Sequence, residues 1–193
     1  MIVLARHGQT EANRDALLVG RIDPPLTDLG VQQAERVAGA LRTSDAVRVV
    51  ASPLTRTLQT ATIIADVLGL SVETDDRIIE MDYGAWDGMP LADVPIETWR
   101  AWRTDPEFRP PDGESLRDVS RRVGAVMGEW LTTDEPIIAV THVSPIKAAL
   151  TWALGAPDQM TWRMYVEVAS ISRIGLRQGA PCMLGFNDTT HLA

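Results

Sequence analysis

The sequence predicts an α/β fold with a mostly parallel central sheet. Short apolar runs that are typical of buried strands alternate with longer segments whose apolar residues recur at helical spacing. Two of these runs, residues 2–5 and 136–141, lead directly into polar segments that begin with Arg6-His7 and His142. In open α/β folds, ligand chemistry lies at the carboxyl ends of the strands. The same observations therefore predict both the fold class and the edge of the sheet that carries the site.

Size and charge narrow the classes of protein to consider. The chain has 193 residues, 45% hydrophobic and 23% charged, which is typical of one globular domain. We therefore predict a single domain over residues 1–193 with an insertion at about 91–112. The net charge of −8 argues against a nucleic-acid surface, which would carry a basic excess. It does not argue against an anionic substrate, because the local field of a pocket decides that.

Cysteine content and hydropathy predict a cytoplasmic protein without a membrane partner. The single cysteine, Cys182, cannot form an internal disulfide, and we interpret it as a small residue near the core. No signal-like segment opens the chain, and no apolar run has the length to span a membrane. Apolar residues late in the chain are compatible with a homodimer.

The first half of the chain predicts a repeated strand–helix pattern. Thr27 is the expected N-cap of a helix through Arg42, and residues 46–51 form the next strand. This order predicts a parallel pair with a right-handed crossover. Ser52 is then expected to cap a helix with Pro53 at its first position, ending at Gly69. A short strand at 72–74 and a segment of turns over 78–90 follow.

The insertion differs in composition from the rest of the chain. Tryptophans and prolines cluster there, with arginines between them, and a helix is predicted over 96–103. Two interpretations remain open: a lid over a pocket, or a surface helix whose tryptophans cover the sheet.

The last third predicts two helices around a buried strand, then an antiparallel edge. Ser115 and Asp118 have the spacing of a capping box, which opens a helix to about Leu131. The strand 136–141 ends at His142, and Pro145 is expected to start a helix through Leu154. Residues 166–174 and 181–186 are predicted as the late strands.

Distant residues are expected to meet at one edge of the sheet and bind a phosphate. His7 and His142 each follow a buried strand, and Arg56 lies in the first turn of the helix after the second strand. A helix amino end favours anions, and a guanidinium adds paired donors with fork geometry. Near His7, Gly8 allows close backbone approach, and Thr10 and Asn13 add short polar groups.

A carboxyl group is needed as proton donor, and Glu80 is the first candidate. It follows Ile78-Ile79 and precedes a turn, so it is expected to be partly buried, where a carboxyl group can hold its proton near neutral pH. Asp82 is the competing candidate. The third histidine, His191, lies in a polar tail and receives no role.

These motifs resemble the signature of the histidine phosphatase superfamily, whose members include cofactor-dependent phosphoglycerate mutases. Leu4 to Asn13 is similar to its first motif, and Ser52 to Ala61 is similar to its second. The segments 80–88 and 111–115 resemble its acid-bearing and Gly-Glu-Ser stretches, and Thr141-His142 supplies the last motif. The resemblance implies a three-layer α/β/α sandwich, here with a small helical insertion over the site.

The resemblance also implies roles for these residues. His7 would be the nucleophile that becomes phosphohistidine, Glu80 the general acid, and Arg6, Arg56 and His142 would hold the phosphoryl group. Asn13 and Gly20 match positions near the phosphate or the substrate. No metal and no cofactor are expected, because the cationic groups would neutralise the phosphoryl charge and no His/Cys/carboxylate spacing suggests a metal.

The sequence offers several candidate residues for contacts with the rest of the substrate, but it does not identify one substrate. Arg21, Arg100 and Arg103 are candidates for a second anionic or planar group, with surface packing as the alternative. Val143 stands in a His-Val-Ser-Pro form that resembles a branch of small phosphatases including α-ribazole-phosphate phosphatase-like proteins. Val19 stands where the mutases usually have a hydroxyl residue.

The expected function is therefore that of a phosphoric monoester hydrolase of the histidine acid phosphatase type, acting on a small phosphomonoester through a phosphohistidine intermediate. The alternatives are mutase-type phosphotransfer and a non-catalytic module that binds a phosphorylated ligand.

Overall fold

A computed structural model describes residues 1–193 and confirms the predicted fold class. Six strands form one sheet in the order β3-β2-β4-β1-β5-β6. The first four of these run parallel, and the last two form the antiparallel edge. The strands are β1 (Ile2–Arg6), β2 (Arg48–Ala51), β3 (Val72–Thr74), β4 (Ile137–Thr141), β5 (Ile171–Arg177) and β6 (Ala180–Asp188).

Helices cover both faces of the sheet, so the chain forms three layers. They are α1 (Glu11–Arg14), α2 (Asp28–Leu41), α3 (Thr55–Leu68), α4 (Ile96–Thr104), α5 (Leu116–Thr132) and α6 (Val143–Ala153). Strand β4 shows why two cores exist. Ile137 and Ala139 pack with α5 and α6, whereas Ile138 and Val140 pack with α2 and α3, as the two-residue period of a strand requires.

The helix ends confirm several predictions made from local sequence. Thr27 Oγ1 accepts the backbone N–H of Gly30 at the start of α2. Ser115 and Asp118 form the predicted capping box at the start of α5. Gly69 ends α3 with φ 67, a left-handed conformation that suits glycine.

The structure corrects the predicted pairing of the first two strands. β1 and β2 are parallel but not adjacent, because β4 lies between them and pairs with both. All five residues of β4 are buried, and a strand that is apolar on both faces takes the centre of a sheet.

Three predicted element boundaries were also wrong. Ser52 does not cap α3: the helix begins at Thr55, and Leu54 occupies the N-cap position. Helix α6 begins at Val143, before Pro145, because His142 is its N-cap. β5 begins only at Ile171, since Ala169 adopts a positive φ of 55 and interrupts the predicted run 166–174.

The insertion packs into the core rather than standing away from it. Helix α4 matches the predicted helix, and Trp102 on it is only 2% exposed. Its indole stacks on Trp99 with ring centroids 5.5 Å apart and meets Trp162 edge-on. Trp99 and Trp102 also line the main cavity, so the segment forms a wall of it. No helix in the structure is both long and apolar enough to cross a membrane.

Candidate active site

The pairing of β1 with β4 brings the two histidines together. Arg6 lies opposite Thr141 in the parallel register, so the residues that follow, His7 and His142, leave neighbouring strands at the same edge. Their rings lie 5.1 Å apart between centroids, inclined at 61°. The prediction that both would reach one edge of the sheet is confirmed.

His7 is held as a neutral imidazole with one free nitrogen. Its Nδ1 lies 2.7 Å from the carbonyl oxygen of Gly8, which fixes the proton on Nδ1 and leaves a lone pair on Nε2. Burial lowers the pKa of His7 well below its ordinary value of 6.5, and the charges of Arg6 and Arg56 lower it further. A neutral imidazole with an unshared pair on Nε2 is the form that can attack phosphorus.

The turn after His7 is fixed by close backbone packing. A Cβ on Gly8 would lie 2.2 Å from the carbonyl oxygen of Gly30 in α2, so no larger residue fits there. The Gly8 N–H also donates to Thr60 Oγ1 in α3 at 3.2 Å. Helices α2 and α3 therefore fix the position of the turn that follows His7.

Arg6 supplies a half-buried cation to the same cavity. One terminal nitrogen donates to the Val166 carbonyl oxygen at 2.7 Å, while its Nε is buried without a hydrogen-bond partner. Leaving a buried charged donor unpaired is costly, and an anion in the cavity would remove that cost.

Arg56 is fully buried in the first turn of α3 and holds the loop before it. Its two terminal nitrogens donate to the carbonyl oxygens of Gly20 and Ile22, each at 2.8 Å. Its Nε donates to His142 Nδ1 at 3.3 Å. Burial lowers the pKa of Arg56 from its ordinary value, and Glu80 and Asp23 oppose that effect. A guanidinium stays protonated under such conditions.

His142 is engaged through both ring nitrogens. Since Nδ1 accepts from Arg56, the proton lies on Nε2, which donates to Ser52 Oγ at 2.7 Å. Burial lowers the pKa of His142 well below 6.5, with Arg56 adding to the effect. His142 is not among the residues that line the cavity, so in this structure it orients Arg56. Ser52 thus serves the site instead of capping a helix.

Glu80, not Asp82, faces the cavity. Glu80 is 4% exposed, and its Oε1 accepts backbone N–H groups from Met81 at 2.7 Å and Ser144 at 3.2 Å. Ser144 lies in the first turn of α6, so this helix and the Met81 N–H fix the position of the Glu80 carboxyl group. Asp82 instead accepts the Gly84 N–H at 2.8 Å and does not line the cavity.

One cavity of about 440 Å³ brings together three of the five predicted catalytic residues, and Arg56 and His142 are buried outside its lining. Arg6, His7 and Glu80 line it together, with Asn13 and Val143 of the predicted substrate contacts. The remaining walls are mostly apolar and aromatic, among them Leu17, Leu91, Trp99, Trp162 and Tyr165. Such a site suits a small molecule that has an anionic end and a less polar skeleton.

Three predicted substrate contacts lie outside the cavity lining. Thr10 is buried and accepts the Asn13 N–H at 3.2 Å to cap α1. Gly20 contributes its backbone to the loop that Arg56 holds, and a Cβ there would lie 2.7 Å from the Met81 carbonyl oxygen. Arg21 pairs with Glu114 at 3.2 Å. The other two arginines that the sequence suggested are surface groups: Arg100 pairs with Glu97, and Arg103 lies over the Trp162 ring.

Asp87 was not predicted, yet it organises the loop that carries Gly20. Its carboxylate accepts three successive backbone N–H groups, those of Gly20, Arg21 and Ile22, at 2.6–2.7 Å. Arg56 binds carbonyl oxygens of the same loop, so opposite charges hold it from two sides. In the sequence, Asp87-Gly88 indicates only a turn within the segment 78–90, so this role could not be predicted.

The depressed pKa of His7 predicts how stability depends on pH. The unfolded chain takes up a proton near pH 6.5, while folded His7 stays neutral well below it. The free energy of unfolding should therefore fall as pH drops below 6.5, by up to about 1.4 kcal/mol per pH unit for this group. Urea unfolding of wild type and His7→Ala between pH 5 and 7.5 measures the difference. Equal slopes in the two proteins would contradict the assignment.

Comparison with known proteins places the chain in a family. The model of the histidine phosphatase superfamily (branch 1) matches residues 2–189. The chain belongs to this superfamily. No group of three or more His, Cys, Asp or Glu side chains is arranged to hold a metal ion.

Relatives of the chain in sequence include a bifunctional protein and probable phosphoglycerate mutases. It is 38% identical over 177 residues to a bifunctional protein of Mycobacterium tuberculosis, covering 89% of this chain but only 49% of that protein. The chain thus spans about half the length of that relative. It is 32% identical to the probable phosphoglycerate mutase GpmB of Yersinia pestis, covering 99% of this chain and 94% of the other.

Solved structures of two phosphatases are similar over nearly the whole chain. A mycobacterial glucosyl-3-phosphoglycerate phosphatase aligns with a TM-score of 0.90 at 27% identity, covering 97% of this chain and 98% of the other. A phosphoserine phosphatase variant of Entamoeba histolytica, in complex with phosphoserine, aligns with a TM-score of 0.92 at 25% identity over 100% and 98%. Family and neighbours together indicate an enzyme of the phosphatase and mutase type.

Proposed function

We propose that this histidine phosphatase superfamily member hydrolyses a small phosphomonoester through a phosphohistidine intermediate. The observation that carries the proposal is the neutral His7 imidazole, whose free Nε2 belongs to the same cavity as Arg6 and Glu80. The compounds for which the two similar phosphatases are named, phosphoserine and glucosyl-3-phosphoglycerate, support a small phosphomonoester as the substrate class.

In the first step, the lone pair on His7 Nε2 attacks phosphorus and the ester P–O bond breaks. Glu80 gives its proton to the departing alkoxide oxygen, so the alcohol leaves neutral and Glu80 becomes a carboxylate. Arg6 stabilises the charge on the equatorial oxygens of the loose transition state, and Arg56 adds its positive charge from outside the cavity lining. His142 keeps Arg56 in orientation through its Nδ1.

In the second step, water attacks the phosphorus of phosphohistidine while the Glu80 carboxylate takes one of its protons. The P–N bond breaks, its electron pair returns to His7 Nε2, and inorganic phosphate forms. Neutral His7 and protonated Glu80 are restored. The two arginines supply the charge neutralisation throughout, so we propose that hydrolysis needs no metal and continues in EDTA.

Capture of the intermediate tests the proposal. The enzyme is mixed with a 32P-labelled phosphomonoester and quenched in alkali, where phosphohistidine survives. We expect about one label per chain in wild type and none in His7→Ala. His191→Ala is the matched control, because His191 does not line the cavity and should keep the label. Phosphate release without any label on wild type, or a label that survives in His7→Ala, would contradict the mechanism.

Mutase activity is a second candidate because the GpmB relative covers almost the whole of both chains. A mutase returns the phosphoryl group to a phosphoglycerate instead of to water. Isomerisation of 3-phosphoglycerate that depends on 2,3-bisphosphoglycerate and releases no phosphate would favour it. Phosphate release across a panel of α-ribazole phosphate, sugar phosphates, phosphoserine and phosphoglycerates would favour the hydrolase and rank its substrates. Binding of these compounds without turnover would indicate a non-catalytic module.

A further inference from the structure

A single lysine lies in the cavity, and the mechanism above leaves it without a role. Lys147 is the only lysine of the chain; the other 17 of the 18 basic residues are arginines. It belongs to α6, three residues after Ser144 and four after Val143. Residues at these spacings share one face of a helix, and all three line the cavity. The ammonium group is therefore aimed from α6 at the same space as His7.

The Lys147 ammonium has no partner within the protein. Its Nζ forms no hydrogen bond and no ion pair with another residue of the chain. Burial lowers the pKa of Lys147, while Glu80 raises it and Arg6 lowers it. The side chain is half-buried in the cavity wall, and an anionic oxygen of a bound molecule would give the ammonium group a charged partner there.

The remaining charges of the cavity are already engaged. Arg6 is assigned to the transferring phosphoryl group, and Glu80 is held by two backbone N–H groups. Glu167 accepts from the Tyr165 hydroxyl and the Val168 N–H, both at 2.9 Å. Among the cationic side chains that line the cavity, Lys147 is the one that stays available for another anion.

We propose that Lys147 is a specificity-determining residue that binds a second anionic group, a carboxylate or a second phosphate, on the substrate. This inference rests on the proposed function, since it concerns the part of the same substrate that is not transferred. The apolar walls formed by Leu17, Leu91 and Trp162 would accept the carbon skeleton between the two anionic ends.

Substrates that differ in one group test the proposal by kinetics. 3-Phosphoglycerate and glycerol 3-phosphate differ by a carboxylate, and propane-1,3-diol bisphosphate and monophosphate differ by a phosphate. In Lys147→Met, the preference for the doubly anionic member, taken as the ratio of kcat/KM values, should fall about 10- to 100-fold through KM. Lys147→Arg should restore most of the preference. The pair that responds identifies the second group as carboxylate or phosphate.

An NMR measurement tests binding without turnover. Reductive methylation with 13C-formaldehyde labels one side-chain amine in this chain, apart from the amino terminus. In the His7→Ala protein, the Lys147 methyl resonance should shift more with 3-phosphoglycerate or the bisphosphate than with glycerol 3-phosphate or inorganic phosphate. Loss of hydrolysis in wild type would refute the proposed function and leave this measurement intact.

Two results would overturn the role of Lys147. An unchanged preference for both substrate pairs in Lys147→Met would mean that the ammonium contacts no second group. Equal losses for both members of each pair, with equal methyl shifts from inorganic phosphate and 3-phosphoglycerate, would assign Lys147 to the phosphoryl end instead.

Discussion

Glu80→Gln is expected to slow hydrolysis of alkyl phosphates by about 10² to 10⁴, because an amide cannot protonate the departing alkoxide. Glutamine keeps the shape of Glu80 and an oxygen that can accept the N–H groups of Met81 and Ser144. The fold should therefore persist. Steady-state kcat for glycerol 3-phosphate in wild type and variant measures the effect.

The same variant should respond differently to p-nitrophenyl phosphate. Its leaving group departs as a stable phenolate and needs no proton, so the first step stays fast. Water attack still lacks a base, so the phosphoenzyme should accumulate and p-nitrophenolate should appear in a burst of about one per chain. Asp82→Asn is the matched control, since Asp82 caps the Gly84 N–H and lies outside the cavity lining. A burst in Asp82→Asn, and none in Glu80→Gln, would transfer the acid role to Asp82.

Arg56→Lys is expected to lower kcat/KM by about 10² to 10³ although the charge is kept. One ammonium cannot bond the carbonyl oxygens of Gly20 and Ile22 and His142 Nδ1 together, as the guanidinium does. The loop loses its anchor, and the positive charge next to the cavity is no longer fixed in position. The free energy of unfolding should also fall, by about 1–3 kcal/mol, because buried carbonyl groups lose partners.

A surface arginine provides the control for this substitution. Arg48 in β2 pairs with Glu73 at 2.7 Å and lies outside the cavity lining, so Arg48→Lys should leave kcat/KM within about twofold. Urea unfolding identifies conditions in which every variant is folded before rates are compared. Activity of Arg56→Lys within about threefold of wild type would show that the phosphoryl group is held elsewhere.

Local sequence predicted most helix and strand positions, because caps and periodicity act over a few residues. Helices α2 and α5 begin at the N-caps Thr27 and Ser115, and α3 ends at the C-cap Gly69. Each cap makes its contacts within four residues, so it can be predicted without knowledge of the fold. The order of the strands is not local: β4 enters between β1 and β2 from more than 80 residues away. The order of the strands in the chain predicted that β1 and β2 would be adjacent. Strand β4 takes the position between them because it is buried on both faces.

The same difference between local and long-range contacts explains which residues of the site were predicted correctly. The residues after β1 and β4 were predictable because strand ends in a parallel sheet converge. Ser52 was misinterpreted because Ser-Pro is also a good helix start, and its actual partner, His142, lies 90 residues away. Arg21 was predicted to contact the substrate, but its guanidinium pairs with Glu114, which lies 93 residues away in the sequence. A readable signal for Lys147 was present: it is one charge among the buried residues Ile146, Ala148 and Ala149.

The loop held between Asp87 and Arg56 leaves its side chains free to vary. Both charged groups bind its main chain, through three N–H groups and two carbonyl oxygens, and every residue except proline offers those atoms. Evolution can therefore exchange the side chains of Arg21 and Ile22 while Arg56 stays in register. Gly20 is the exception, since the Met81 carbonyl leaves no space for a Cβ. The surface of this loop can therefore change in sequence while the main-chain anchor of Arg56 is retained.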